Sequence, residues 1–189
     1  QEAQSRNIPI VAPAGFMAEA TSENVLVGPA MSRRSMYQFG KNLETGAQGF
    51  VDAGLGKRVA YGTIGILAPT ITIEKSTQNL TIDGVEFVFH NTPGAEAPAE
   101  LTFSIPALKA YGGAELLAQT MHNFLPVRGA KVRDVLQWSS YMQNALDQLG
   151  DAEVYFGQHN WPIWGQPQIR EFITKHRDVY KYLHDQTIR

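Results

Sequence analysis

No cysteine occurs anywhere in the 189 residues. That excludes disulfides, thiolate metal ligation and a cysteine nucleophile, and it is compatible with any redox compartment. Long apolar runs are missing as well. The stretch 64–73 is interrupted by Pro69 and by threonines, and a membrane-spanning helix needs about 18 uninterrupted apolar residues. Nothing at the start resembles a secretory leader. The chain opens on Gln1 and polar residues, which points to a processed or excised chain. An excess of one charge is also absent. The net charge is -2, the pI is near 6.2, and the adjacent basic pairs are Arg33–Arg34 and Lys57–Arg58. Without a basic stripe, nucleic-acid binding is a poor expectation. There is no internal repeat or low-complexity segment.

What is present is enough apolar material, 43% of residues, to bury a core in one large domain or in a piece of something larger. In chain order, a short β-branched strand covers 8–12 and is closed by Pro13 and Gly15. Helices are expected over 16–25 and 30–39. A long glycine-rich loop follows from Gly40 to Gly62. In it Gly54–Leu55–Gly56 either makes turns or presents N–H groups to an anion. Strands follow at 70–74, at 80–82 and 85–89 around an Asp83–Gly84 hairpin turn, and at 99–105 and 108–111. The period then lengthens. A helix is expected over 115–124. Val132, Val135, Leu136, Met142, Ala145, Leu146 and Leu149 recur at helical spacing up to Gly150. A strand at 154–157 and a last helix from Gln166 to about His184, with Pro167 in its first turn, complete the pattern. The expected fold is a layered α/β (α+β) arrangement.

The stretch from Asn91 to Glu115 organises the rest. It runs strand, acidic Pro/Gly turn, strand, Gly-Gly turn, and so brings Glu96, Glu100 and Glu115 to one sheet edge. Clustered carboxylates repel unless a cation or proton neutralises them, so the stretch reads as a hard-cation or zinc site. Glu100 reads rather as a solvated loop residue or a member of a structural ion pair than as a ligand. His159, just after the short strand, suits a ligand and also suits a core-edge histidine. On a helix, Glu115, Gln119 and His122 would share a face. Asn123 with Arg128 forms a receptor for a tetrahedral oxyanion, since a guanidinium donates two parallel hydrogen bonds. The bland alternative pairs Arg128 with Asp134. His90, His176 and His184 read as structural or surface residues.

Six segments, I-V-A-P-A-G-F-M-A-E-A-T-S-E-N-V (10–25), A-G-L-G (53–56), T-P-G-A-E-A-P-A-E (92–100), H-N-F-L-P-V-R-G-A-K-V-R-D (122–134), H-N-W-P-I-W-G (159–165) and Y-L-H-D-Q-T-I (182–188), resemble those of the alkylsulfatases that hydrolyse dodecyl sulfate. The resemblance covers nearly the whole chain. It implies an αββα metallo-β-lactamase-like sandwich in which two zinc ions hold a bridging water. By motif, Glu96, Glu115 and His159 look like metal ligands, and Asn123 and Arg128 like the residues that hold the sulfate of an alkyl sulfate. An apolar surface from the 40–62 region or from Trp161 and Trp164 would receive the alkyl tail. Two departures accompany it. The family reads Asn directly after the Glu, and His four residues after it, where this chain has Leu116 and Gln119. The family's His-x-His-x-Asp-His motif is absent. The resemblance therefore implies that residues 1–189 are the C-terminal portion of the catalytic domain, the second half of the sandwich plus flanking helices. Its implied partners are the missing half, a second copy in a homodimer, or both, and its implied location is periplasmic or secreted. Two alternatives stay open: a non-catalytic fragment or pseudoenzyme serving as an association partner, and the same fold acting on another anionic ester such as a phosphate.

Overall fold

Alternating residues on either side of Asp83–Gly84 make the hairpin on which the main sheet is built. In the computed structural model, which describes residues 7–54, 56 and 65–189, its arms pair from Thr77↔His90 to Ile82↔Val85. Asp83 and Gly84 both take positive φ, 51° and 77°, as a tight hairpin turn requires. These arms are β3 (Thr77–Ile82) and β4 (Val85–Asn91). After them come β5 (Leu101–Ile105), β6 (Ala110–Gly112), β7 (Val154–Phe156) and β8 (Ile163–Trp164), in that spatial order. All neighbours run antiparallel except β6 and β7. A parallel pair needs a crossover, supplied here by the segment that contains helix α3 (Val135–Gln148). The strands β1 (Val11–Pro13) and β2 (Ile71–Ile73) form a separate parallel pair. Helix α1 (Phe16–Thr21), a π-helical turn (Ser22–Leu26) and helix α2 (Gly28–Phe39) follow β1. Helix α4 (Gln166–Thr187) ends the chain. The α/β layering expected from the sequence is observed. Leu55 and residues 57–62 of the expected glycine-rich loop lie outside the described residues.

The two faces of the sheet differ. Tyr111 and Tyr155, on β6 and β7, point to the face covered by α3 and α4. There Trp138, Met142, Ala145, Leu146, Ile169, Ile173 and Tyr180 bury against them. Asp134 caps α3 by accepting from the Gln137 N–H at 2.9 Å, so it does not serve Arg128. Gly150 follows the helix with φ 58°, the left-handed stop that its position suggests. Of the apolar positions expected on this helix, Val132 precedes it, and Val132 and Leu136 are exposed. The buried stripe runs instead through Trp138. The opposite face carries a row of phenylalanines: Phe87 and Phe103 each lie about 6 Å from Phe89, and Phe156 packs edge-on against Phe103.

One expected helix does not form. Residues 115–124 are irregular, although their spacing suits a helix. The reason is competition for backbone groups. The Trp138 indole donates to the carbonyl of Leu116 at 2.8 Å, and the Tyr155 hydroxyl donates to that of Leu117. The Tyr180 hydroxyl accepts from the His122 N–H at 3.1 Å. Leu116, Leu117 and Ala118 are all buried in succession, which a helix with one buried face cannot achieve.

Candidate metal centre and anion pocket

Two turns carry the acidic residues, and both are shaped by backbone chemistry. The first, between β4 and β5, doubles back at Gly94 (φ 81°), with the Gly94 N–H donating to Ala97 O at 3.0 Å. The second leaves β6 through Gly112–Gly113. A side chain at Gly113 would sit 2.2 Å from the Tyr155 hydroxyl, so the chain passes there only as glycine. The two turns meet through Glu100. Its carboxylate accepts from the N–H groups of Glu96 (2.8 Å), Ala97 (3.4 Å) and Glu115 (3.1 Å). Glu100 is therefore neither solvated nor part of an ion pair; its partners are backbone amides. Burial pushes its pKa up to about 8, against the pull of the Glu96 and Ala97 N–H groups.

Glu96, Glu115 and His122 then converge, with one donor atom from each lying within 4.8 Å of the others. His122 Nε2 is 3.7 Å from Glu96 Oε1 and 4.0 Å from Glu115 Oε2. Its Nδ1 lies 3.0 Å from the carbonyl of Asn123. A carbonyl only accepts, so Nδ1 donates to it, and the ring turns its Nε2 toward the carboxylates. Metal-binding histidines are usually oriented in this way. His159 Nε2 contacts the other oxygen of Glu115, Oε1. Glu115 thus has an imidazole facing each of its oxygens. Glu96 is held by Arg133, which binds its carboxylate and, at 2.7 Å, its carbonyl oxygen. Burial, and next the charge of Glu115, raise the Glu96 pKa, while Arg133 and His122 oppose the rise.

A cavity of about 270 Å³ opens over this cluster. Glu96, Glu115, Arg128, Lys131 and Arg133 give it a charged floor and side, and Phe16, Ala20 and Pro98 an apolar one. Arg128 faces Glu23 at 3.7 Å, its N–H donates to Gln38 at 3.0 Å, and its carbonyl accepts from Arg34 at 3.4 Å. Asn123 is not part of the cavity wall; its Oδ1 accepts from Arg133 at 2.8 Å. The structure thus brings Glu96 and Glu115 together with His122, sets His159 against Glu115, puts Arg128 on the cavity wall and sets Asn123 behind Arg133. Leu116 is core, and Gln119 ties this turn to the carbonyl of Trp161 and the side chain of Asn160.

Two residues of this cluster, His122 as a donor and Arg133 as the partner of Glu96, were not singled out as site residues from the sequence. His122 was legible only as a member of an expected helix face. Arg133 sits in a run of charged residues ahead of a helix, where an exposed role is the ordinary reading, yet it is 8% exposed.

Over all 189 residues the chain is 44% identical to an alkyl/aryl-sulfatase of Saccharomyces cerevisiae, of which it covers 29%. It is 41% identical to a linear primary-alkylsulfatase of Pseudomonas, covering 28% of that protein. The chain is related to the alkylsulfatases. Its fold agrees: 99% of it superposes on 30% of a stereoselective inverting sec-alkylsulfatase from Pseudomonas with a TM-score of 0.94 and 39% identity. No protein-family model matches the sequence. The chain thus spans about 30% of the length of the alkylsulfatases it matches. Among the described residues no helix is long and apolar enough to cross a membrane.

Proposed function

We propose that residues 1–189 are the C-terminal portion of a metallo-β-lactamase-like catalytic domain that hydrolyses alkyl sulfate esters with zinc. The observation that carries this is the convergence of Glu96, Glu115 and His122 within 4.8 Å, beside a cavity lined by Arg128. The donor set fits the metal: carboxylate oxygens and neutral imidazole are zinc ligands, and a catalytic zinc needs only three of them. Glu96, Glu115 and His159 are the proposed ligands, and His122 is a further donor on the same cluster. The two imidazoles on opposite oxygens of Glu115 suit two ions in the complete site, the remaining ligands coming from a His-x-His-x-Asp-His segment. When bound, the metal supplies Lewis acidity and acidifies water.

The protein groups do the rest. Arg128 offers its guanidinium fork to the ester sulfate and stabilises the charge that grows as the ester bond breaks. Glu23 yields that guanidinium when the anion enters. Asn123 orients Arg133, and through it Glu96. Phe16, Ala20 and Pro98 give an apolar wall for the tail. The proposed setting is an exported homodimer. Release of sulfate from dodecyl sulfate by a protein carrying this chain together with the His-x-His-x-Asp-His segment tests the proposal. Glu115→Ala and a chelator should each abolish release, and hydrolysis surviving both rejects the mechanism.

A second reading is favoured by one observation. Arg133 on Glu96 and His159 on Glu115 give both carboxylates a side-chain partner from this chain itself, as befits a non-catalytic association partner. Zinc titration separates the two readings, since an inert partner takes up none.

A further inference from the structure

Glu100 is the one carboxylate of the acidic stretch to which the proposed reaction gives no task. It is only 7% exposed. Both of its oxygens are engaged by backbone amides: Oε2 by Glu96 and Ala97 at 2.8 and 3.4 Å, Oε1 by Glu115 at 3.1 Å. Its own carbonyl accepts from the Thr92 N–H at 2.9 Å. A single side chain therefore holds the two turns that carry Glu96 and Glu115, each by the amide of the ligand residue itself. The ionised carboxyl, which the Glu96 and Ala97 N–H groups favour against burial, offers two acceptor oxygens and no donor; a glutamine keeps one acceptor and turns an NH₂ group toward an N–H. Losing either bond frees the φ/ψ of a residue whose side chain must meet a cation.

We infer that Glu100 is a positioning residue: it fixes the separation and direction of the Glu96 and Glu115 carboxylates, so that a divalent cation meets a preassembled pair of donors. This rests on reading the cluster as a metal site. It differs from that reading in making the donor geometry depend on a residue that touches no metal.

The test is calorimetric titration of the 189-residue chain with zinc, together with hydrogen exchange of backbone amides by NMR. Glu100→Gln should keep the circular dichroism of the wild type and weaken zinc binding by roughly 10- to 100-fold, as loss of other outer partners of metal ligands does. The amides of Glu96, Ala97 or Glu115 should exchange roughly tenfold faster or more, while those of α3 and α4 stay protected. Unchanged zinc affinity overturns the inference. If the wild type takes up no zinc, the metal reading itself fails, and exchange then decides the matter alone. Unaltered protection of the three amides in Glu100→Gln also overturns the positioning role, and selective loss there upholds it. If Glu100→Gln does not fold, Glu100→Asp, which keeps both acceptors but falls one methylene short, carries the same readouts.

Discussion

The two walls of the cavity are built in opposite ways. The wall with Glu96, Glu115 and Arg133 is nailed to the core. Trp138, Tyr155 and Tyr180 hold the backbone of 116–122 from beneath, Glu100 joins the two turns, and Arg133 is buried against Glu96. The wall from Phe16 to Leu26 has no buried residue at all. It meets the 128–131 turn through two partly exposed ion pairs, Glu23 to Arg128 and Glu19 to Lys131. Groups that must keep a fixed geometry sit on the first wall. The second is cheap to displace, because exposed pairs contribute about 0–1 kcal/mol each. Precision and adaptability are thus divided between the sides of one cavity.

That contrast can be broken experimentally, most strongly at Arg133. Arg133→Ala leaves Glu96 without its buried partner, and a buried pair broken on one side costs about 3–5 kcal/mol. Urea denaturation should register that loss, and a change below 1 kcal/mol would mean the first wall is not anchored there. Trp138→Phe comes next. It keeps the ring packing but leaves the Leu116 carbonyl unpaired, at a cost of about 1–3 kcal/mol, read by the same titration.

On the loose wall, Glu19→Gln should move stability by less than about 0.5 kcal/mol. Glu23→Gln should do the same and should also tighten binding of inorganic sulfate, because Arg128 then has no competing carboxylate. Weaker sulfate binding in this variant would make Glu23 a support for Arg128 and not its competitor.

The smallest effect concerns His176, on the far side of the core against Phe172 and Tyr180. Burial lowers its pKa from the usual 6.5. The unfolded chain therefore binds the proton first, and the stability this group contributes is lost as pH falls from about 6.5 through its lower folded value. The raised pKa values of Glu96 and Glu100 act with the opposite sign, so the readout is a difference. Between pH 7.5 and 5, wild type should lose more stability, or gain less, than His176→Phe.

Much of the strand pattern was legible because it is written in local chemistry. Asp83–Gly84 specifies a turn, Gly150 ends a helix, and Pro167 begins one. The acidic turns at 96 and 115 could be picked out for the same reason: proline and glycine place carboxylates at strand ends. Residues 115–124 were not legible. Their spacing favours a helix, and the three aromatic groups that deny it lie on α3, β7 and α4, distant in sequence. Arg133 escaped for a related reason. Its burial depends on where Glu96 and Asn123 arrive in space, and its neighbours in sequence give no sign of it.

By itself the sequence determined the order of strands and helices outside residues 115–124, the absence of thiol chemistry and the gathering of glutamates at one edge of the sheet, since these follow from turn residues, composition and period. Only the tertiary structure decided that Glu100 serves backbone amides and that His122 turns its Nε2 toward Glu96 and Glu115. Hydrogen-bond partners are assigned in space, and a buried polar group takes whichever partner the packing of distant elements brings within about 3 Å.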